Sequence, residues 1–569
     1  MMGADLMGKW WALLVVMAGA VILAIIATTP PGPAPATAPA AAFSATRAMA
    51  DIRVIGNAPH PTGSAEDAKV RAYLVGRLQG MGLEVTGTQS LMDAVGAKRL
   101  ADWSKSKITP PLSNIVAILP GRDRSQPAVL LMAHHDSVWG SPGAADDSAG
   151  VASILETVRA IKASGQPQRD LMVVFSDGEE LGLEGAKTFF AGDPRRAHVG
   201  VIVNLETRGG GGRTNMFETG AQNGAMMELF GQSVDRPVST SLSIFIYNNL
   251  PNSTDYTVAK KLGIPGFNFA FIGRPQLYHS PLATPDALDQ GAVQDMGRQV
   301  LDLTRGLLAV QALPGKAPDR VFFDAFGLFL VSYPAGLGWL ILALGAAGYA
   351  VAAWRRSTIG EVAKGAGALV ALILVAAAWL YIVNVVSGSF GKVNYYDRLA
   401  AIPRLQVQAL LVCLAVVVTM RRWMPSRVGT IAGAAIPLLA LGLLAQIAAP
   451  TAAYPFAVPL MLGGLALAVD RLAGRSIGVA ATIVAAMLGV GYMLGFGFFL
   501  MQAVGPGMPM IVAIPLAIST VLSLPLLPAI APRRAIMVVA ALLVVATGIA
   551  LWVLLDPIAL SVAVYSSDH

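Results

Sequence analysis

From about residue 334 to residue 555 the chain repeats one pattern, an apolar stretch of roughly twenty residues followed by a short loop, which is the length a bilayer-spanning helix requires. Eight such spans fall near 334–354, 366–386, 404–420, 428–448, 452–469, 476–501, 509–528 and 535–555. A ninth, Trp10–Ala27, lies near the start and reads as an uncleaved anchor, with a cleaved signal peptide as the competing reading. Nearly half of the chain therefore has no water-facing face to fold around. Whole-chain averages record this: 55% of residues are hydrophobic, 13% are charged, and the mean hydropathy is +0.60. Soluble domains carry about a quarter charged residues, so a wholly soluble enzyme is excluded.

The net charge of +7 invites a nucleic-acid reading until the charges are placed. Residues 43–320 hold 27 Lys/Arg and 27 Asp/Glu, so the excess of 14 basic over 7 acidic residues lies elsewhere. With the N-terminus on the cytoplasmic side, Arg355, Arg356, Lys364, Arg421, Arg422, Arg427, Arg471, Arg475, Arg533 and Arg534 fall in cytoplasmic loops. Only Lys392, Arg398 and Arg404 fall opposite, and that asymmetry orients the spans. It predicts about nine transmembrane helices, a polytopic α-helical membrane domain and a globular segment on the outer side. No ionisable residue lies inside the spans, only neutral polar groups such as Asn384, Gln446, Ser519 and Thr547, which argues against ion-coupled transport. One cysteine, Cys413, leaves no intrachain disulfide. No motif supports nucleic-acid binding.

Three regions follow: 1–42, an anchor with a Pro/Ala linker; 43–320, a globular domain; and 321–569, the multi-pass region. In the middle region, helical patterning at Ser64–Met81 and Gly150–Ala163 alternates with short apolar runs at 114–119, 128–133, 171–175 and 201–205. Continuous apolar strands between helices predict an α/β domain with its sheet covered on both faces.

Five places carry chemistry. Leu131-Met-Ala-His-His-Asp-Ser137 ends an apolar strand, and alternation puts His134 and Asp136 on one face and His135 on the other. A polar strand end explains it as well as a metal ligand beside its orienting acid. Asp146-Asp147 precede a helix, where a simple N-cap is the plainer reading. Glu179-Glu180 follow another strand, in what is otherwise a solvated acidic loop. Glu206 ends a fourth strand, ahead of Gly209–Gly212, whose backbone can approach a ligand closely. Tyr278-His279 come last, with a structural histidine as the ordinary reading. Taken together, acids and histidines at the C-terminal ends of strands suggest one site. Two histidines and three carboxylates suit zinc, and suffice for two ions sharing one carboxylate.

With these residues in place, the stretch from Pro59 to Thr304 resembles the co-catalytic zinc exopeptidases of the aminopeptidase Y type. The resemblance rests on His134-His-Asp136, Ala145-Asp-Asp-Ser-Ala-Gly150, Glu179-Glu180 and Tyr278-His279. The layout, with Pro59-His-Pro-Thr-Gly-Ser64, is similar to the membrane-bound subgroup, the endoplasmic-reticulum and vacuolar membrane metallopeptidases. The resemblance implies a mixed central sheet flanked by helices and two Zn2+ ions. His134, Asp146 and Glu206 would hold one ion; Asp146, Glu180 and His279 would hold the other. It also implies Glu179 as general base, Asp136 as the group orienting His134, and a strained, cis-capable Asp146–Asp147 peptide. Many soluble members carry Asp where this chain has Glu206, one methylene longer, and the membrane-bound subgroup commonly has Glu. Tyr278 would contact substrate or pack on His279, and Asp255 would support His279 or a substrate amine. His60, His135 and His198 read as structural, and His569 lies in the tail.

The implied activity is hydrolysis of N-terminal residues from peptides. Carboxypeptidase chemistry, with Arg208, Arg213 or Arg274 gripping a carboxylate, a glutaminyl-cyclase-like enzyme, and a silent receptor or scaffold stand as alternatives. Peptides and the lipid bilayer are the expected partners. An Arg- and Ala-rich composition points to a bacterial inner membrane with a periplasmic domain, the alternative being a lumenal domain in the endoplasmic reticulum or vacuole.

Overall fold

The computed structural model describes residues 2–390, 395–556 and 562; Lys392 and His569 lie outside them. Contacts divide the described chain into two units, one of them Thr29–Ser332 together with Val562 and the other the first helix together with the chain from Tyr333 to Asp556.

The globular unit is built on a seven-stranded sheet: β1 (Glu84–Ser90), β2 (Leu112–Leu119), β3 (Ala128–His134), β4 (Leu171–Ser176), β5 (Val199–Thr207), β6 (Gly211–Thr219) and β7 (Gly266–Gly273). Their order is β1-β2-β4-β3-β5-β7-β6. The central strands β4, β3, β5 and β7 run parallel, and β2, β1 and β6 are added antiparallel at the flanks, so the sheet is mixed. Every residue of β3 and β4 is buried, as continuous apolar runs require. Alternate side chains separate into two cores. Leu131, Val173, Val203 and Phe269 pack beneath the helices Ser148–Ala163 and Gln290–Ala309, contributed by Leu155 and Met296 among others. Leu130, Met132, Met172 and Val174 pack with Phe189, Phe190 and Tyr256 on the other face. The expected strands fall within β2, β3, β4 and β5; β1, β6 and β7 are additional.

The Pro/Ala tract, expected to be an extended linker, is fastened down instead. Ala34 N donates to Gln294 Oε1, and Arg47 and Arg159 donate to the carbonyls of Ala36, Ala38, Ala40 and Ala42. Carbonyls that proline leaves without helical partners are taken up by guanidinium groups.

In the other unit, seven helices are long and apolar enough to cross a membrane, among the described residues: Gly8–Thr28, Ile359–Ser389, Ile402–Met420, Val428–Ala448, Tyr454–Ala473, Arg475–Val504 and Pro532–Leu555. The expected count of nine is not reached. At the positions of the other two spans stand shorter apolar helices, Leu337–Ala353 and Pro509–Ser523. Helices close on one another over glycines. A Cβ on Gly433 would lie 2.0 Å from Val362 O, and one on Gly365 would lie 2.1 Å from Thr430 O. Small residues at helix crossings are the usual packing device where lipid gives no hydrophobic drive.

Candidate metal centre

The parallel strands bring four segments to one end of the sheet. His134 closes β3 in register with Ser176, which closes β4, and Glu206 lies near the end of β5. Asp146 sits in the loop entering the helix Ser148–Ala163, and His279 follows β7. The adjacent acids divide their work. Asp147 caps the helix, accepting from Gly150 N at 3.0 Å, and Asp146 turns into the cluster across a cis peptide. The capping reading was therefore correct for one acid of the two.

Asp146 lies between the two histidines. Its Oδ1 is 3.2 Å from His134 Nε2 and its Oδ2 is 3.2 Å from His279 Nε2. Glu206 Oε2 is 3.8 Å from His134 Nε2, and Glu180 Oε1 is 3.1 Å from His279 Nε2. Two triads result, His134/Asp146/Glu206 and Asp146/Glu180/His279, each with its ligand atoms within 4.8 Å of one another. These are the residues the sequence brought forward as ligands, joined through Asp146.

His134 Nδ1 lies 2.9 Å from the Asp136 carbonyl, which can only accept, so Nδ1 carries the proton. The Nε2 lone pair is then aimed at carboxylates. A lone pair facing carboxylates must share a proton or a cation with them. Glu180 Oε1, buried and without a hydrogen bond, presents the same problem on the other side. Oxygen and imidazole donors at these separations fit zinc, whose ligands stand about 2.0–2.2 Å from the ion.

The electrostatics agree. Burial opposes a charged His134, but hydrogen bonding to Asp136 and Asp146 outweighs it and holds its pKa well above the histidine range. Burial is likewise overcome at His279, where Glu180 and Asp146 push the pKa to about 10. Burial resists ionisation of Asp146, yet His134 and His279 draw it down to about 2. Glu179 and Glu206 are raised well above the usual glutamate range, first by burial and then by neighbouring carboxylates. More negative groups meet here than there are imidazoles to balance them, so the cluster takes up positive charge.

Asp136 does more than expected. Its carbonyl orients His134, while its carboxylate lies 3.4 Å from His134 Nδ1 and accepts from Glu179 N at 3.1 Å and Glu180 N at 3.3 Å. The chain reverses toward Asp136 through Gly178, at φ +73, where a side chain would also meet Leu112. Tyr278 stacks its ring on His279, centroids 3.9 Å apart. Asp255 is buried under the strand ends and accepts from Ser176 Oγ, a scaffold partner rather than His279. The glycines after Glu206 serve the chain's own packing: a Cβ on Gly209 would lie 2.2 Å from Gly273 O. Val562 N donates to the carbonyl of His279 at 3.0 Å, a contact with no signal in the sequence. His135 turns away from Asp146, as alternation predicts, into a second buried cluster with Asp67 and Asp177 that the sequence reading passed over.

Compared with known proteins, residues 114–304 match the family model Peptidase family M28. Endoplasmic reticulum metallopeptidase 1 of Mus musculus is 30% identical over 238 residues, 40% of this chain and 26% of that protein. The vacuolar membrane protease of Candida dubliniensis is 35% identical over 233 residues, 40% of this chain and 24% of that protein. The chain thus spans about a quarter of the length of these relatives. Among solved structures, an aminopeptidase from Aneurinibacillus sp. strain AM-1 aligns at 15% identity and a TM-score of 0.37, covering 48% of this chain and 95% of that one. The resemblance seen in the motifs is to the same peptidase family; the match does not single out the aminopeptidase Y type.

Proposed function

We propose that the globular unit is a zinc aminopeptidase carried by a helical membrane unit. The observation that supports this most is the position of Asp146, with each carboxylate oxygen 3.2 Å from a different histidine. His134, Asp146 and Glu206 would hold one zinc ion and Asp146, Glu180 and His279 the other. When bound, such a pair polarises a peptide carbonyl and makes water a competent nucleophile near neutral pH.

The remaining work falls to this chain's own groups. Glu179 accepts a proton from the attacking water on its carboxylate and returns it to the leaving amine. Asp136 fixes both partners at once, His134 through its carbonyl and the Glu179-Glu180 backbone through its carboxylate. Tyr278, flat against His279, restricts that imidazole to one plane.

The carboxypeptidase reading is weakened at two of its three candidate cations. Arg213 is buried in an ion pair with Asp295 at 2.7 Å, and Arg274 lies 3.6 Å from Asp289. A one-zinc cyclase would leave one of the two histidines without a task. The Lys/Arg asymmetry of the loops supports an outward-facing domain, periplasmic in a bacterial cell. The test is the rate on unblocked peptides against their N-acetylated twins, measured on detergent-purified protein loaded with zinc. Selective hydrolysis of the unblocked peptides is expected; equal rates on both would overturn an aminopeptidase.

A further inference from the structure

Behind the centre lies the second buried cluster, formed by Asp67, His135 and Asp177. All three residues are at most 1% exposed. Asp67 comes from the first turn of the helix Ala65–Gly80, His135 follows β3, and Asp177 follows β4. One ligand atom from each lies within 4.8 Å of the others.

Each member has one polar atom secured and one left over. His135 Nε2 is 3.1 Å from the carbonyl of Ser113, which can only accept, so Nε2 carries the proton. Asp67 Oδ2 accepts from Gly63 N at 3.1 Å and from Arg71. Asp177 Oδ2 accepts from Ser113 N at 2.7 Å. The atoms left over are Asp67 Oδ1, His135 Nδ1 and Asp177 Oδ1, buried and without a hydrogen bond. Nδ1 and Asp67 Oδ1 are 3.1 Å apart but not in hydrogen-bond alignment. An imidazole nitrogen between carboxylate oxygens, its opposite nitrogen donating to a backbone carbonyl, is the arrangement of a metal-ligating histidine with its supporting partner. Leaving three such atoms unmatched in an apolar interior is costly.

We infer that Asp67, His135 and Asp177 bind a third divalent cation, of the zinc class, that braces the sheet end behind the catalytic groups. Two carboxylate oxygens and one imidazole nitrogen suit a borderline ion. The site ties the helix Ala65–Gly80 to the ends of β3 and β4, from which His134, Asp136, Glu179 and Glu180 project. It does not depend on the neighbouring cluster being a peptidase centre. The rival occupant is a proton, which would make His135 an imidazolium paired with the two acids.

The test counts zinc by elemental analysis in the detergent-purified full chain, loaded with zinc alone and then desalted. Asp146→Ala combined with His279→Ala removes the bridging centre, and this variant should retain one equivalent, lost on adding Asp177→Asn. Folding of each variant is checked by circular dichroism. In the otherwise unaltered chain, His135→Gln should lower zinc content by one equivalent. A folded double variant that holds no zinc, or an unaltered chain whose zinc content His135→Gln leaves the same, would overturn the third site in favour of the proton.

Discussion

Among the described residues, the buried polar side chains of the membrane unit are amides and hydroxyls, Asn384, Gln408, Gln446, Thr482 and Thr520 among them. Those of the globular unit include Asp136, Asp146, Asp177, Glu180, Glu206, His134, His135 and His279. A neutral group is satisfied by a nearby carbonyl: Gln446 donates to Ala335 O at 2.9 Å and Thr482 to Gly478 O at 2.8 Å. A buried carboxylate needs more, because the cost of losing water is repaid by several N–H donors or by positive charge close by. Elsewhere in the globular unit arginine supplies that charge, as Arg213 does for Asp295. Among the described residues, no arginine or lysine at the sheet end forms an ion pair with the acids of either Asp146 triad, and the ion pairs they form are with histidines. The contrast separates buried polarity that holds helices together from buried charge arranged to receive a cation.

The strongest way to break this comparison is to remove the shared ligand. Asp146→Ala should lose two equivalents of zinc and all turnover above background, measured by elemental analysis and peptide hydrolysis. If the carboxylates were merely paired with protonated histidines, zinc content would not change. Asp136→Asn keeps the carbonyl that orients His134, weakens the grip on the Glu179-Glu180 backbone and removes the carboxylate charge beside His134. A loss of about 10–100-fold in activity is expected, the range for groups that support ligands, with His134 still able to bind metal. On the membrane side, Gly433→Leu forces a side chain against Val362 O and should cost about 1–3 kcal/mol. It should appear as a lower melting temperature in detergent, with kcat of the surviving protein unchanged. A matching loss of kcat would show that the two kinds of buried polarity are not separable.

Much of the centre was legible because metal chemistry concentrates where apolar strands run out. His134, Glu180 and Glu206 all follow buried β runs, and Asp146 opens an apolar helix, so position and residue type pointed together. What stayed hidden depends on backbone or on distance along the chain. The carbonyl of Asp136 has no sequence signal, and strand alternation turned His135 away from the face that carries His134 and so out of consideration. Asp67 stands in the first turn of a helix, where an acid is expected on capping grounds alone. Strand β1, Glu-Val-Thr-Gly-Thr-Gln-Ser, lies at the sheet edge with no buried residue, and so lacked the apolar run by which β3 and β4 were found. For the spans, hydropathy registers apolar length whether or not a single helix fills it, and two of the expected nine stand as shorter apolar helices among the described residues.

The most direct test of the central claim is Glu179→Gln. The substitution keeps the size of the side chain and removes its ability to take a proton, while touching none of the proposed ligands. Turnover (kcat) of an unblocked peptide should fall by about 10²–10⁴-fold, the usual worth of a positioned base, with zinc content equal to that of the unaltered chain. Undiminished turnover with zinc in place would contradict it.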